Sequence, residues 1–216
     1  MERRYFLTLT SSVAAGLSGV SALALAQAGN PRAGVDFRTL DRVAPVDAPA
    51  GKIEVIEFFW YGCPHCNAFE PVLAQWVKAL PADVVFKRVP IAFQPGFVPQ
   101  QQLFYALEAM GLVDKLHTQV FAAIHRDRLK LVSPADISAW VVKQGVDATA
   151  FASQFNSFSV VAKARRASQL MDAYQVEGVP ALGVAGRFYT DGELTRAMDR
   201  ALQVTAFLIS EVRVGR

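Results

Sequence analysis

Residues 57–71, "EFFWYGCPHCNAFEP", carry the only two cysteines of this 216-residue chain, Cys63 and Cys66, with Pro64 and His65 between them. Ahead of the pair, Ile53 to Phe59 is β-branched and aromatic. Both of its alternating faces are largely apolar, which is the pattern of a central strand. Behind the pair, Phe69, Val72, Leu73, Trp76 and Leu80 recur at three- and four-residue spacing and predict a helix with a buried stripe. Pro71 falls inside that helix and predicts a kink, because its ring displaces a carbonyl and removes a hydrogen bond. The cysteines therefore stand where a strand hands over to a helix.

Outward from this unit the pattern alternates. "VDAPAGK" reads as a turn before the strand, and Val84 to Val89 as a second short strand. From Pro99 to about Tyr174 the pattern is helical, with Leu103, Phe104, Leu107 and Met110 on one face. After Gly111 come Leu112, Leu116, Val120 and Ile124. Ser133, Pro134 and Asp136 read as an N-cap, a first-turn proline and an early acid, opening a helix that Gly145 ends. Asp147 and Ser157 are candidate caps of two more. "ALGVAGRFYTDG" after Gly178-Val179-Pro180 predicts a hairpin, and Glu193 to Val212 a closing amphipathic helix. Strand, helix, strand, helical block, two strands and a helix make an α/β chain.

The first 26 residues read as an export signal. Arg3 and Arg4 precede an uncharged run from Tyr5 to Ala26 that ends in Ala24-Leu25-Ala26, a signal-peptidase pattern that predicts cleavage after Ala26. An uncleaved anchor is the competing reading, since the run is long enough to span a bilayer. Its many Ser, Thr and Gly residues weaken it as an anchor. Arg3-Arg4-Tyr5-Phe6-Leu7 also resembles a twin-arginine motif, so the export route stays open. Without these residues 20 basic and 18 acidic side chains remain. No basic block is left to neutralise a run of phosphates, which argues against nucleic acid as a partner.

A core of about 190 residues with 52% hydrophobic composition needs no disulfide staple, so the cysteine pair calls for another explanation. Zinc needs four ligands, and His117 and His125, eight apart in the helical block, do not complete a set; they read as surface or half-buried residues. A c-type haem needs histidine directly after the second cysteine, where Asn67 stands. A structural disulfide over two intervening residues closes too small a loop to stabilise much. A redox centre remains. Cys63, at the start of the helix, meets unpaired amide hydrogens and the positive end of the dipole, which favour a thiolate. It is the predicted exposed nucleophile and leaving group, with Cys66, one turn further in, as its shielded resolving partner.

The helix terminus supplies up to about 2 kcal/mol, or roughly one and a half pKa units. Hydrogen bonds of about 1.5 to 3 kcal/mol from first-turn donors and from His65 would add to it. Stabilising the thiolate stabilises the reduced protein, so the disulfide is easily given away. Strand alternation places Glu57 on the face of Ile53, Val55 and Phe59, where a carboxyl is either a tolerated edge residue or a buried acid with a raised pKa. As a buried acid near Cys66 it would exchange a proton with that thiol. Lys87 is either its counter-charge across the sheet or a solvated strand lysine.

"EFFWYGCPHC", the helical insertion with "GLVDKL" and "SPADI", and "VEGVPALGVAGRF" together resemble bacterial periplasmic thiol:disulfide interchange proteins of the DsbA family, within the thioredoxin superfamily. The resemblance runs from about residue 37 to the end. It implies a thioredoxin-like fold interrupted by a helical insertion at about 99–174, in a domain spanning 27–216. It implies a cis bond between Val179 and Pro180, in a loop that packs against Cys63 and lines a peptide groove. Pro64 and His65 match the family's usual pair between the cysteines, and Glu57 and Lys87 its buried acid and nearby lysine.

The expected function is that of a periplasmic disulfide donor to newly exported proteins. Its clients would be unfolded or partly folded chains with free cysteines. By the resemblance, a DsbB-type quinone-coupled membrane oxidase reoxidises the pair, the protein is a monomer, and no metal or cofactor beyond the Cys63–Cys66 disulfide takes part. One rival is a disulfide isomerase or reductase on the same fold. Against it, only about 26 residues separate Ala26 from the first strong strand, too few for a dimerisation domain. The other rival is a peptide-binding chaperone whose cysteines stay idle.

Overall fold

Seven consecutive buried residues make β2 (Ile53–Phe59) the centre of the sheet. The computed structural model describes residues 29–215, and the chain from Pro31 onward forms one compact unit. The expected export signal at 1–26 lies outside the described residues. β2 pairs in parallel with β3 (Val84–Pro90) and antiparallel with β4 (Ala181–Val184). β4 pairs with β5 (Phe188–Asp191), the predicted hairpin, and β5 with a two-residue β1 (Arg38–Thr39), giving the order β1-β5-β4-β2-β3.

Burial on both faces explains why β2 lacks polar alternation. Ile53 and Val55 pack with Val204, Leu208 and Ile209 of the last helix, α8 (Met198–Arg213). Ile56 and Phe58 face the helical block instead. That block lies between β3 and β4 and holds α2 (Val98–Ala109), α3 (Val113–His125), α4 (Pro134–Lys143), α5 (Ala148–Phe155) and α6 (Phe158–Ala173). A short 3-10 turn, Pro95–Phe97, leads into it. Ser133, Asp147 and Ser157 each accept a hydrogen bond from a first-turn amide, of Asp136, Ala150 and Val160 respectively, as their spacing predicts. Among the described residues no helix is long and apolar enough to cross a membrane.

Two expectations change. α1 (Pro64–Lys78) contains Pro71, as expected, but its buried stripe is Cys66, Phe69, Glu70 and Leu73. Val72 is 44% exposed; the heptad places Glu70, not Val72, against the core. The closing helix is two: α7 (Gly192–Thr195) ends where Arg196 turns left-handed at φ 64°, and α8 starts after an extended Ala197. The hydrophobic period continues across that break, so the pattern alone hides it.

Candidate active site

Cys63 caps α1 with extended backbone (φ −83°, ψ 118°), and Pro64 follows at the first helical position, where its missing N–H costs nothing. Cys63 is 7% exposed and Cys66 0%. Both are free thiols. Cys63 is thus the outer sulfur, although more enclosed than the exposed nucleophile expected from sequence. The turn before it is closed by a hydrogen bond from the Cys63 amide to the Trp60 carbonyl, 3.0 Å. Only glycine fits at 62, because a Cβ there would run into the Trp60 indole. That indole stacks on Phe97, with ring centroids 3.9 Å apart and planes at 20°.

The hydrogen bond offered by the Cys66 thiol is the largest influence on Cys63. Burial opposes it, and the amides of Cys66 and His65 and the His65 charge add to it, so the Cys63 thiol is pulled down to about 6 from 9.0. Cys66 moves the other way, well above the usual thiol range. Burial dominates there, followed by its Cys63 neighbour, with the charge of Glu57 also contributing. Two thiols one helical turn apart are thereby split into an anion and a neutral donor.

Val179 joins Pro180 through a cis bond, and its carbonyl lies 3.3 Å from Cys63 Sγ, accepting a hydrogen bond when Cys63 is protonated. Val179, Pro180 and exposed His65 line a cavity of about 420 Å³ with Glu193, Arg196 and Met198.

Glu57 is 1% exposed, and burial pushes its carboxyl well above the usual carboxylate range against the pull of Arg88. Here Lys87 is not the counter-charge. The β2–β3 register sets Glu57 beside Arg88 and Ile56 beside Lys87, and neighbours one residue apart point to opposite faces. Arg88 Nε lies 3.2 Å from Glu57 Oε2, while Lys87 pairs with Asp47 on the other face. Arg88 also donates from Nη2 to Glu70 Oε1 at 2.5 Å. Beyond Glu70, His117 Nε2 lies 3.4 Å from Oε2, and its Nδ1 is 2.9 Å from the Tyr61 hydroxyl. His117 is 4% exposed, not a surface residue.

Sequence reasoning missed Glu70, Arg88, His117 and Tyr61. The one signal for Glu70 was its position four after Cys66, which puts it on the same helix face. Among the described residues no cluster of His, Cys, Asp and Glu could hold a metal ion.

The family model for a DSBA-like thioredoxin domain matches residues 87–203. The chain is 41% identical over 207 residues to the thiol:disulfide interchange protein DsbA of Burkholderia cepacia, covering 96% of this chain and 95% of that one. With the Pseudomonas aeruginosa DsbA it shares 40% identity over 210 residues, 97% of each. The crystal structure of Pseudomonas aeruginosa DsbA superposes with a TM-score of 0.82 at 39% identity, over 86% of this chain and 96% of that one. The oxidoreductase DsbA from Xylella fastidiosa gives 0.79 at 30% identity, over 85% and 98%.

Proposed function

We propose the following mechanism from the premise that this chain belongs to the DsbA family of thiol:disulfide interchange proteins and is a protein disulfide oxidoreductase with a thioredoxin-like fold. A client thiolate attacks Cys63 Sγ of the Cys63–Cys66 disulfide. The S–S bond breaks, a mixed disulfide forms, and Cys66 leaves with the electron pair. Cys66 then takes a proton, for which Glu57 is the donor. A second client thiolate attacks the client sulfur of the mixed disulfide, and Cys63 leaves as a stabilised thiolate. The client gains a disulfide and the protein is left as the dithiol.

The observation that carries this reading is the opposite displacement of the two thiols, Cys63 down to about 6 and Cys66 up. A good leaving group is a weakly basic thiolate, so the mixed disulfide opens toward the client. The pull on Cys63 also favours the dithiol over the disulfide, the direction of an oxidant. Val179 and Pro180 present the client backbone to the sulfur, and Pro64 and His65 shape and charge the helix start.

Residues 1–26 direct export and are removed after Ala26, which places the protein in the periplasm. Unfolded exported proteins are its clients, and a DsbB-type quinone-coupled membrane oxidase restores the disulfide; the protein works as a monomer without a dissociable cofactor. The test is oxidation of a reduced protein substrate by the disulfide form. Cys63→Ser should abolish it, and unchanged activity would leave only peptide binding. Equilibration with glutathione separates donor from isomerase or reductase, because a potential as low as that of thioredoxin would refute the donor role.

A further inference from the structure

A larger cavity, of about 530 Å³, is lined from β3, α2 and α6 and shares no residue with the cavity beside Cys63. Its volume falls within the range of about 300 to 1,000 Å³ usual for small-molecule sites. Phe86, Phe104, Val113 and Leu170 supply apolar walls. Against them lies a buried polar group without a partner, the hydroxyl of Tyr105. Tyr105 is 6% exposed, and its hydroxyl makes no hydrogen bond to any described residue. The charges that act on it, Glu108, Arg166 and Asp47, all line the cavity, so the hydroxyl stands on the cavity side. A buried hydroxyl left unpaired in this way costs stability, and a bound acceptor would remove that cost.

The walls carry charge, but the charge is balanced. Lys87 and Arg166 both pair with Asp47, and Lys163 pairs with Glu108 at 2.6 Å. Glu54 Oε2 accepts the Asp47 amide at 3.0 Å; its Oε1 has no partner but is fully covered, so it selects no ligand. Three cations thus face three carboxyls, and Arg88, which also borders the cavity, is engaged by Glu70 and Glu57. An anion beside Tyr105 would meet Glu108, the strongest charge acting on that hydroxyl. A cation would compete with Lys87, Lys163 and Arg166 for carboxylates already paired. Burial, followed by Glu108, pushes the Tyr105 phenol well above its usual range, so the O–H keeps its proton and is a donor in want of an acceptor.

We propose that this cavity is a binding site for an uncharged small molecule with an apolar or aromatic body and a carbonyl oxygen, the body against the apolar walls and the oxygen accepting the Tyr105 O–H. The site goes beyond the disulfide-donor reading. No cysteine takes part in it, so the oxidised and reduced proteins should bind alike, and failure of either reading leaves the other standing.

Titration of the full-length oxidised protein with N-benzylacetamide, followed through the backbone amide resonances, tests the site. A probe of about 11 non-hydrogen atoms should bind with a Kd of about 1 mM. The shifts should centre on β3, α2 and α6 and spare residues 178–198. Benzylamine and phenylacetate, its charged counterparts, should bind at least about fivefold more weakly. Tyr105→Phe deletes a hydroxyl that has no partner, so the fold should keep its stability while the Kd rises about fivefold. Val113→Phe, a change at a half-buried wall position, fills the cavity and should abolish saturable binding. No saturable shift in the wild type, shifts centred on the client cavity, equal affinity for a charged probe, or either variant binding like the wild type overturns the proposal. If Tyr105→Phe fails to fold, Val113→Phe and the charged probes decide alone.

Discussion

Arg88 stands beside Glu57 in the parallel pairing of β2 and β3, its Nε 3.2 Å from Glu57 Oε2, while the adjacent Lys87 points through the opposite face to Asp47. Two consecutive cations in one strand thus do unlike work. Arg88 is the one bound to the redox centre, and removing it leaves two buried carboxyls uncompensated. Arg88→Met should cost about 3 to 5 kcal/mol of stability. Lys87→Ala breaks a half-exposed pair and should cost under about 1 kcal/mol. Denaturant unfolding of both variants checks the contrast, and equal losses would contradict the assignment.

The contribution of Cys63 to the stability of the reduced protein should shrink as pH falls. Cys63 is an acid whose folded pKa, about 6, lies below its ordinary 9.0. Its contribution is therefore complete above pH 9 and is lost as pH falls through 6. The gain is at most about 4 kcal/mol above pH 9 and about 1.4 kcal/mol at pH 7. Glu57, raised rather than lowered, acts with the opposite sign and weakens the fold as pH rises. The difference between wild type and Cys63→Ser, both reduced, isolates the thiol. A difference that stays flat between pH 5 and 9 would refute the assigned thiolate.

Thiolate absorbance of Cys63 against pH should rank its supports. The Cys66 thiol is the largest influence and the His65 charge the weakest of its supports. Cys66→Ala should therefore raise the midpoint above about 6 by more than His65→Ala does. The reverse order would mean that the histidine, not the neighbouring thiol, holds the anion.

Gly62→Ala puts a Cβ into the Trp60 indole, which is pinned against Phe97. Overpacking of this kind costs about 1 to 3 kcal/mol. Unfolding midpoints measure the loss, and a shifted tryptophan emission reports the displaced stack. An unaltered emission and midpoint would show that the turn has slack.

Much of this architecture is legible in the residues, and the failures share a cause. The apolar run at 53–59, the caps at Ser133, Asp147 and Ser157, and the hairpin after Pro180 are local signals, and each appears where it is expected. So does the cysteine pair at the head of α1. The identity of the cation opposite Glu57 depends on the register between strands about thirty residues apart, and a shift of one exchanges Lys87 for Arg88. His117 shows the same limit: helical spacing gives its face on α3, but the Tyr61 and Glu70 it meets belong to another part of the chain. Two-residue β1 is too short to leave a pattern, and the α7–α8 break is a backbone event at Arg196.

The Tyr61 junction, held from α3 at both its hydroxyl and its carbonyl, bears on transplantation. Moving Cys-Pro-His-Cys into an unrelated scaffold carries over the amides at the head of the helix, but it leaves behind the guanidinium, the two acids and the imidazole beneath. A graft of that sort would inherit the helix-head environment of the outer sulfur and none of the buried charge set beneath the inner one.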